Sequence, residues 1–354
     1  MTAADQRRHL HLAAPSRAEL GRVRGAALAS SLPRAVEQYT RLFRAVGVNE
    51  AQQRQGAELT LEGLGRWRPE LIEELEGIAA GSGAELLDVA ALNARTEILA
   101  MSGLGVRECS TVSVPIDGRR VAIQTWDWHV ELAEFWHTQE VAGPGHRYAG
   151  LTEQGILSKI GLNEEGLALH FNILGHRRDG AGGVPMHMLS ALVLSECASV
   201  DEALALIREA PVTSSSAFTL IDADRAVSVE ITPVGVFAIP ESRGSVQRTN
   251  HFLDPTPLAE QRTEVYEPDS SERLDLIRQR LDERRPRDEG ELVELLLSGD
   301  GEPPLCCRPD MTKPLGDRWG TLATVITDPE RRTIRLLDGM PSDAATGEWR
   351  ELRL

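Results

Sequence analysis

The chemistry most legible in this chain sits in RECSTVSVPIDGRRVAIQTWDWH, residues 107–129. Cys109 stands at the mouth of a strand, and Asp127 lies on the strand that returns, flanked by Trp126 and Trp128. A thiol has a pKa of about 8.5, so only a small part of it is thiolate at neutral pH, and nucleophilic work needs a base. The hairpin offers no histidine close to Cys109. The plain alternative is that Cys109 is a small buried hydrophobe and Asp127 a strand-end carboxylate, because cysteine is often buried for reasons of volume alone.

Turn chemistry and alternation define the elements that hold these residues. Ser110 to Val114 reads as one strand, Pro115 to Gly118 as a turn, and Arg120 to Trp128 as the return strand. A turn centred near Ile116 and Asp117 makes paired residue numbers sum to about 233, which puts Cys109 opposite Gln124 and Asp127 on the order of 10 Å further along. Of the two tryptophans, one is expected in the core and the other in the wall of a pocket.

The rest of the chain divides by texture near residue 100. Before it run three helical patterns, SRAELGRVRGAALASSLPRAVEQYTRLFRAVG, GLGRWRPELIEELEGIAAGSG and AELLDVAALNARTEILA. After it come hairpins, the second turning at Asn163 to Gly166. A helix pair follows over 185–197 and 200–209, and Ser199 with Glu202 has the spacing of a capping box. Strands resume in SAFTLIDADRAVSVEITPVGVFAIP and SVQRTNHFL, helices in SERLDLIRQRLDERR and DEGELVELLLSG, and GTLATVITDPERRTIRLLDG closes with a last hairpin. Hairpins grouped around helix pairs favour antiparallel sheets covered by helices over an alternating βαβ order.

Composition narrows the function classes. The 354 residues, 41% hydrophobic and 26% charged, are ample for a full core. A net charge of −16, with Lys159 and Lys313 the only lysines, argues against nucleic acid as a partner. No apolar run reaches the length of a membrane span, and MTAADQRRHLHLAAPSRAEL lacks a signal-peptide core, so the expectation is a soluble, cytoplasmic protein without membrane partners. Cys197 reads as core filler and the Cys306–Cys307 pair as loop. No CxxC pair occurs, and the nine histidines show neither HExxH nor paired helical spacing, so no metal and no cofactor are expected. There is no GxSxG or P-loop, and GAGGVP at Gly180 lacks the βαβ setting of a dinucleotide site.

A family resemblance runs through the chain in order: LNARTEI (92–98), CSTVSVPIDG from Cys109, QTWDW (124–128), TEQGILSKIGLNEEGLALHFNIL (152–174), GVPMHMLSALVLSECAS (183–199), SAFTLIDADRAVSVEITP (216–233) and RTNHFL (248–253). Together they resemble the isopenicillin N acyltransferase family, that of the acyl-coenzyme A:6-aminopenicillanate acyltransferases, to which hydrolases of β-alanyl amines are related. The resemblance implies an α+β fold of the N-terminal nucleophile type, an αββα sandwich of two antiparallel sheets between helical layers. It also implies a precursor that cuts itself immediately before its nucleophile. Residues 1–108 would become a helical small chain, partner to the catalytic chain 109–354, and the two would form one folded domain.

Carried over position by position, the resemblance makes Cys109 the nucleophile, Asp127 its neighbouring aspartate and Asn250 the active-site asparagine. Arg318 matches a family arginine ahead of the last hairpin. Glu108 stands where a glycine is expected before the cut, Thr125 where an asparagine is usual, and Asp317 where a serine is. A cut between Glu108 and Cys109 would free an α-amine with a pKa of about 7.7–8.0, well suited to serve as base for its own thiol. Asn250 would donate to the oxyanion. Asp127 would hold the new ammonium or order the hairpin, and Arg318 would serve that network, a substrate carboxylate or structure alone. Thr125, Trp126, Trp128 and His251 are candidates for contact with a small-molecule amide substrate, His251 otherwise being a packing residue. The function expected is a self-processed cysteine amide hydrolase. The competing readings are an acyltransferase of the same fold, a non-catalytic scaffold, and a papain-like pair of Cys109 with His251 that would need no processing.

Overall fold

The computed structural model describes residues 7–102, 109–262 and 269–354. The first segment holds β1 (His9–Ala13), α1 (Arg17–Leu28), α2 (Leu32–Ala45), α3 (Glu50–Trp67), α4 (Glu70–Ser82), α5 (Leu86–Asn93) and α6 (Arg95–Ala100). The first helical pattern breaks into α1 and α2, with Pro33 in the first turn of α2, where a missing N–H costs nothing. Helices α1 and α4 touch backbone to backbone. A Cβ added at Gly21, Gly25, Gly77 or Gly81 would come within 2.4 Å of the facing helix's carbonyl oxygen.

The second segment contains β2 (Thr111–Ile116), β3 (Arg119–His129), β4 (Trp136–Ala142), β5 (Tyr148–Glu153), β6 (Ile160–Asn163) and β7 (Ala168–Ile173). After α7 (Met186–Glu196) and α8 (Val200–Glu209) come β8 (Ser216–Ile221), β9 (Ala226–Thr232), β10 (Gly235–Pro240), β11 (Val246–Arg248) and α9 (Pro255–Leu258). The third has α10 (Asp269–Glu283), α11 (Glu289–Glu294), β12 (Trp319–Asp328), β13 (Thr333–Asp338) and β14 (Trp349–Arg353). Ser199 caps α8 by accepting from the Glu202 N–H. Glu202 reaches back to the N–H of Ala198 rather than Ser199, so the capping box is displaced by one residue.

Among the described residues the strands form an eight-stranded sheet, β1-β4-β5-β6-β7-β8-β9-β10, and a six-stranded sheet, β11-β2-β3-β12-β13-β14. The expected layering is found, with one difference: β1 joins the first sheet parallel to β4, so the segment ahead of Cys109 is not wholly helical. The sheets face one another through even-numbered positions of β3. There the Gln124 side chain donates to the Phe171 carbonyl of β7 at 2.6 Å and accepts from the Phe171 N–H at 3.1 Å. The outer face of the six-stranded sheet, Val112, Val114, Val121 and Ile123, packs on Ile277 and Leu281 of α10 and Leu292 of α11. Helices α7 and α8 cover the other sheet.

The opening hairpin is tighter than its sequence suggested. Asp117 and Gly118 alone form the turn, with φ of 50° and 79°, the two left-handed residues of a type I′ turn. Pro115 and Ile116 belong to β2, and Ile116 pairs with Arg119. The register is therefore displaced by two residues from that expected: Gln124 lies opposite Thr111, not Cys109.

Residues ahead of Cys109 are built into the common core. Asn93 donates to the Gly155 carbonyl at 2.8 Å and accepts from the Leu157 N–H at 3.1 Å. Glu97 accepts from the Met186 N–H at 3.0 Å and the Ser214 hydroxyl at 2.7 Å. Arg95 and Glu153 form a fully buried ion pair at 2.7 Å, and Tyr39 donates to the same carboxylate.

Candidate active site

Cys109 is fully buried two residues ahead of β2. The next residue is clipped to β3 twice: the Ser110 N–H donates to Thr125 Oγ1 at 3.0 Å, and the Thr125 N–H donates to the Ser110 carbonyl at 3.0 Å. Continuing that register sets Cys109 opposite Trp126, one position from Asp127. The Cys109 carbonyl accepts from Asn172 Nδ2 of β7 at 2.9 Å and from Arg273 Nη1 of α10 at 3.3 Å. Glu108 lies outside the described residues.

Arg273 organises this corner. Its Nη1 also donates to Ser110 Oγ at 3.1 Å, its Nη2 to Asn250 Oδ1 at 3.1 Å, and its Nε to Asp269 at 3.2 Å. Asn250, buried just beyond β11, donates from Nδ2 to the Ile173 carbonyl at 3.0 Å, while its own N–H donates to Ser270 Oγ at 2.8 Å. An amide nitrogen carries two hydrogens, and the Ile173 bond uses one.

Asp127 is buried on the face of β3 that looks toward Cys307 and Arg273. Thr321, directly across on β12, donates its hydroxyl to Asp127 Oδ1 at 2.5 Å and accepts from the Cys307 N–H at 2.8 Å. Burial pushes the Asp127 carboxyl up to about 6, against the opposing effects of the Thr321 hydrogen bond and the Arg273 charge. Burial first, and then the Asp127 carboxylate, raises both the Cys306 and Cys307 thiols.

Other expected residues fall elsewhere. Arg318 is one-third exposed; its guanidinium donates to the Lys313 carbonyl at 2.6 Å and pairs with Glu131 at 3.2 Å. The arginine that touches Cys109 and Asn250 is Arg273. Trp126 and Trp128 are both fully buried, because positions i and i+2 of a strand share a face. Trp126 packs edge-on against Trp136, and Arg95 lies over the Trp128 ring at 3.8 Å. Thr125 is a buried clip, its hydroxyl donating to the Leu305 carbonyl at 3.2 Å. His251 Nδ1 lies 2.8 Å from Ser270 Oγ, and burial lowers its pKa to about 4. Its ring contacts Ser270 of α10 and Thr249, so it supports the asparagine corner from outside.

Asn172, Arg273, Thr321 and Cys307 escape the sequence reading, although two of them left a signal. Asn172 interrupts the apolar strand LALHFNIL, and Arg273 sits on the same helical stripe as Ile277 and Leu281, where a charge needs a buried partner. Thr321 and Cys307 become visible only when β12 and the loop ahead of it are folded against β3.

Three comparisons bear on this arrangement. The sequence profile of the family described as Acyl-coenzyme A:6-aminopenicillanic acid acyl-transferase matches residues 116–343, a span that begins after Cys109. The acyl-coenzyme A:6-aminopenicillanic-acid-acyltransferase 40 kDa form of Emericella nidulans is 30% identical over 192 residues, covering 53% of this chain and 53% of that protein. The chain thus matches about half the length of that curated relative. An arginine-to-leucine variant of conjugated bile acid hydrolase from Clostridium perfringens is a structural neighbour at a TM-score of 0.50 and 12% identity, covering 69% of this chain and 92% of that one. That neighbour shares the N-terminal nucleophile sandwich. Because the profile spans well over half of the sequence, the chain belongs to the acyl-coenzyme A:6-aminopenicillanic acid acyl-transferase family.

Proposed function

We propose that this protein is a self-processing cysteine amide hydrolase, cleaving a small N-acylated amine or amino-acid amide through a thioester on Cys109. The observation that carries the reading is the Arg273 guanidinium, which spans the Cys109 carbonyl and Asn250 Oδ1 and so locks nucleophile and amide donor into one frame. In processing, water adds across the Glu108–Cys109 peptide bond; Glu108 takes the hydroxyl as its new carboxylate and Cys109 keeps the α-amine. Arg262 donates to the carbonyls of Ala100 at 3.0 Å and Ser102 at 2.9 Å, anchoring the chain just ahead of the segment to be cut.

In turnover the α-amine takes the thiol proton, Sγ attacks the substrate carbonyl, and the second Nδ2 hydrogen of Asn250 meets the oxyanion. The amine proton passes to the leaving nitrogen. Water then attacks the thioester by the same route, releasing the acid and restoring the thiol. Asp127 provides the counter-charge of the ammonium. The setting is cytoplasmic, where thiols stay reduced.

The acyltransferase reading has the family match and one structural observation in its favour. Arg243, Arg278 and Arg285 line a depression of about 290 Å³ near α10, a cationic patch where a phosphorylated donor could rest, although Arg243 is already paired with Asp282 at 2.8 Å. Against it, one of the two lysines, Lys159, is buried in the core.

The test is the N-terminus of the purified protein. Two associated fragments, the larger beginning at Cys109, are expected, with Cys109→Ala remaining one chain. A wild-type protein that stays whole while turning over amides would remove self-processing, and cleavage in Cys109→Ala would remove autocatalysis.

A further inference from the structure

At the edge of the eight-stranded sheet, β1 reads HLHLA. Leu10 and Leu12 point into the core, whereas His9 and His11 share the outer face. The parallel register places His9 beside Thr138 and His11 beside Glu140 on that same face. His9 Nε2 lies 3.2 Å from Glu140 Oε1, and His11 Nδ1 lies 3.8 Å from it. All three ligand atoms fall within 4.8 Å of one another.

We infer that His9, His11 and Glu140 form a surface site for a divalent transition-metal ion such as Zn²⁺ or Ni²⁺. With metal–ligand bonds of about 2.0–2.1 Å, the edges of a tetrahedron are about 3.3 Å, close to the two distances above. A small rotation of the exposed His11 ring closes the third edge, and water takes the fourth position. Imidazole nitrogen with a single carboxylate suits Zn²⁺, Ni²⁺ and Cu²⁺, not Mg²⁺ or Ca²⁺.

The second nitrogen of His9 has an oxygen beside it that can hold it when Nε2 binds a metal. Thr138 Oγ1 accepts from Arg350 Nη1 at 2.5 Å and directs its own hydrogen to the Arg8 carbonyl at 3.4 Å. His9 Nδ1 lies 2.8 Å from the same oxygen; without metal Nε2 keeps its hydrogen toward Glu140, and metal binding would displace that proton and leave Nδ1 donating to Thr138.

His9 and His11 stand two positions apart, the spacing that puts two side chains on one face of a strand rather than of a helix. Because β1 precedes Cys109 and β4 follows it, a bound ion would clip the two parts of the molecule together at a sheet edge. The site stands independently of the proposed activity.

The experiment is calorimetric titration of the full chain, free of any polyhistidine tag, with ZnCl₂ and NiCl₂, and with MgCl₂ as control. Wild-type protein should bind one more equivalent than His11→Ala, or bind it at least about tenfold more tightly. Glu140→Gln should weaken the same site, and His146→Ala should leave it unchanged. Co²⁺ at that site should give visible bands without thiolate charge transfer. Equal titrations for wild type and His11→Ala, no binding by the wild type, or a thiolate spectrum for the difference site would each overturn the assignment.

Discussion

Arg273 Nη2 lies 3.1 Å from Asn250 Oδ1, while Nη1 of the same guanidinium reaches the Cys109 carbonyl. One planar cation from α10 thereby fixes two residues that are far apart in sequence and that the proposed reaction needs side by side. A lysine could not reproduce this, because an ammonium is a point charge without the fork. Arg273→Lys should fold with a stability loss of about 1–3 kcal/mol and lose most of its turnover. Denaturant unfolding and steady-state kinetics on the processed protein check it; wild-type turnover in Arg273→Lys would dissolve the shared frame.

Asn250 offers the donor whose removal should cost most. Its backbone N–H is held by Ser270, so truncation keeps the chain in place while removing both the donor and the Oδ1 that Arg273 holds. Asn250→Ala should reduce kcat by about 10² to 10³ with a smaller change in KM, the pattern of an interaction made mainly in the transition state. His251→Gln keeps a partner for Ser270 and should retain turnover. If Asn250→Ala is fully active, or if His251→Gln is dead, the papain-like pair of Cys109 and His251 returns to contention.

The legible parts of this fold were those with local signatures. The helix periods, the turn at Asn163–Gly166, the Ser199 cap and the hairpin around Asp117–Gly118 are written in short-range residue types, and Cys109, Asp127 and Asn250 were visible through family resemblance. What stayed hidden is long-range. Strand β1 is a five-residue edge whose partner lies over a hundred residues away. The hairpin register failed because Pro115 was assigned to the turn; proline is tolerated on a strand, and only Asp117 and Gly118 adopt the left-handed conformation. Arg273 shares the apolar stripe of Ile277 and Leu281, but its partners, the Cys109 carbonyl and Asn250, lie far off in sequence and meet it only in the folded chain.

Asp127 gives a pH signature. A rise of its pKa from 3.8 to about 6 on folding corresponds to about 3 kcal/mol that favours the folded chain at low pH and is lost as pH rises through about 6. In the uncut Cys109→Ala chain no freed ammonium offsets that burden. Asp127→Asn in this background should therefore stabilise the protein above pH 6, with the difference shrinking toward pH 4, because the amide is neutral throughout. In the wild-type background the same change should impair processing, turnover or both. Chemical denaturation across that pH range reads the first effect; parallel curves for the two uncut chains would mean that Asp127 is not desolvated as described.

The final prediction concerns the acceptor of the acyl group. Hydrolysis and transfer share the Cys109 thioester, so trapping that species by mass spectrometry identifies the nucleophile without separating the two routes. Separation lies in its decay. A transferase must hold its donor, exclude water while an amine enters, and, with acyl-coenzyme A, neutralise several phosphates. The acidic chain has Lys159 buried, and Arg243, Arg278 and Arg285 line one cationic depression. A hydrolase needs neither the exclusion of water nor a phosphate site. The acyl-Cys109 species should therefore decay in water alone at a rate matching turnover, be little affected by added amines, and be formed equally well by Arg278→Ala. Slow decay in water that accelerates with saturating dependence on one amine and returns an amide, together with loss of acylation from acyl-coenzyme A in Arg278→Ala, would replace the hydrolase by the transferase.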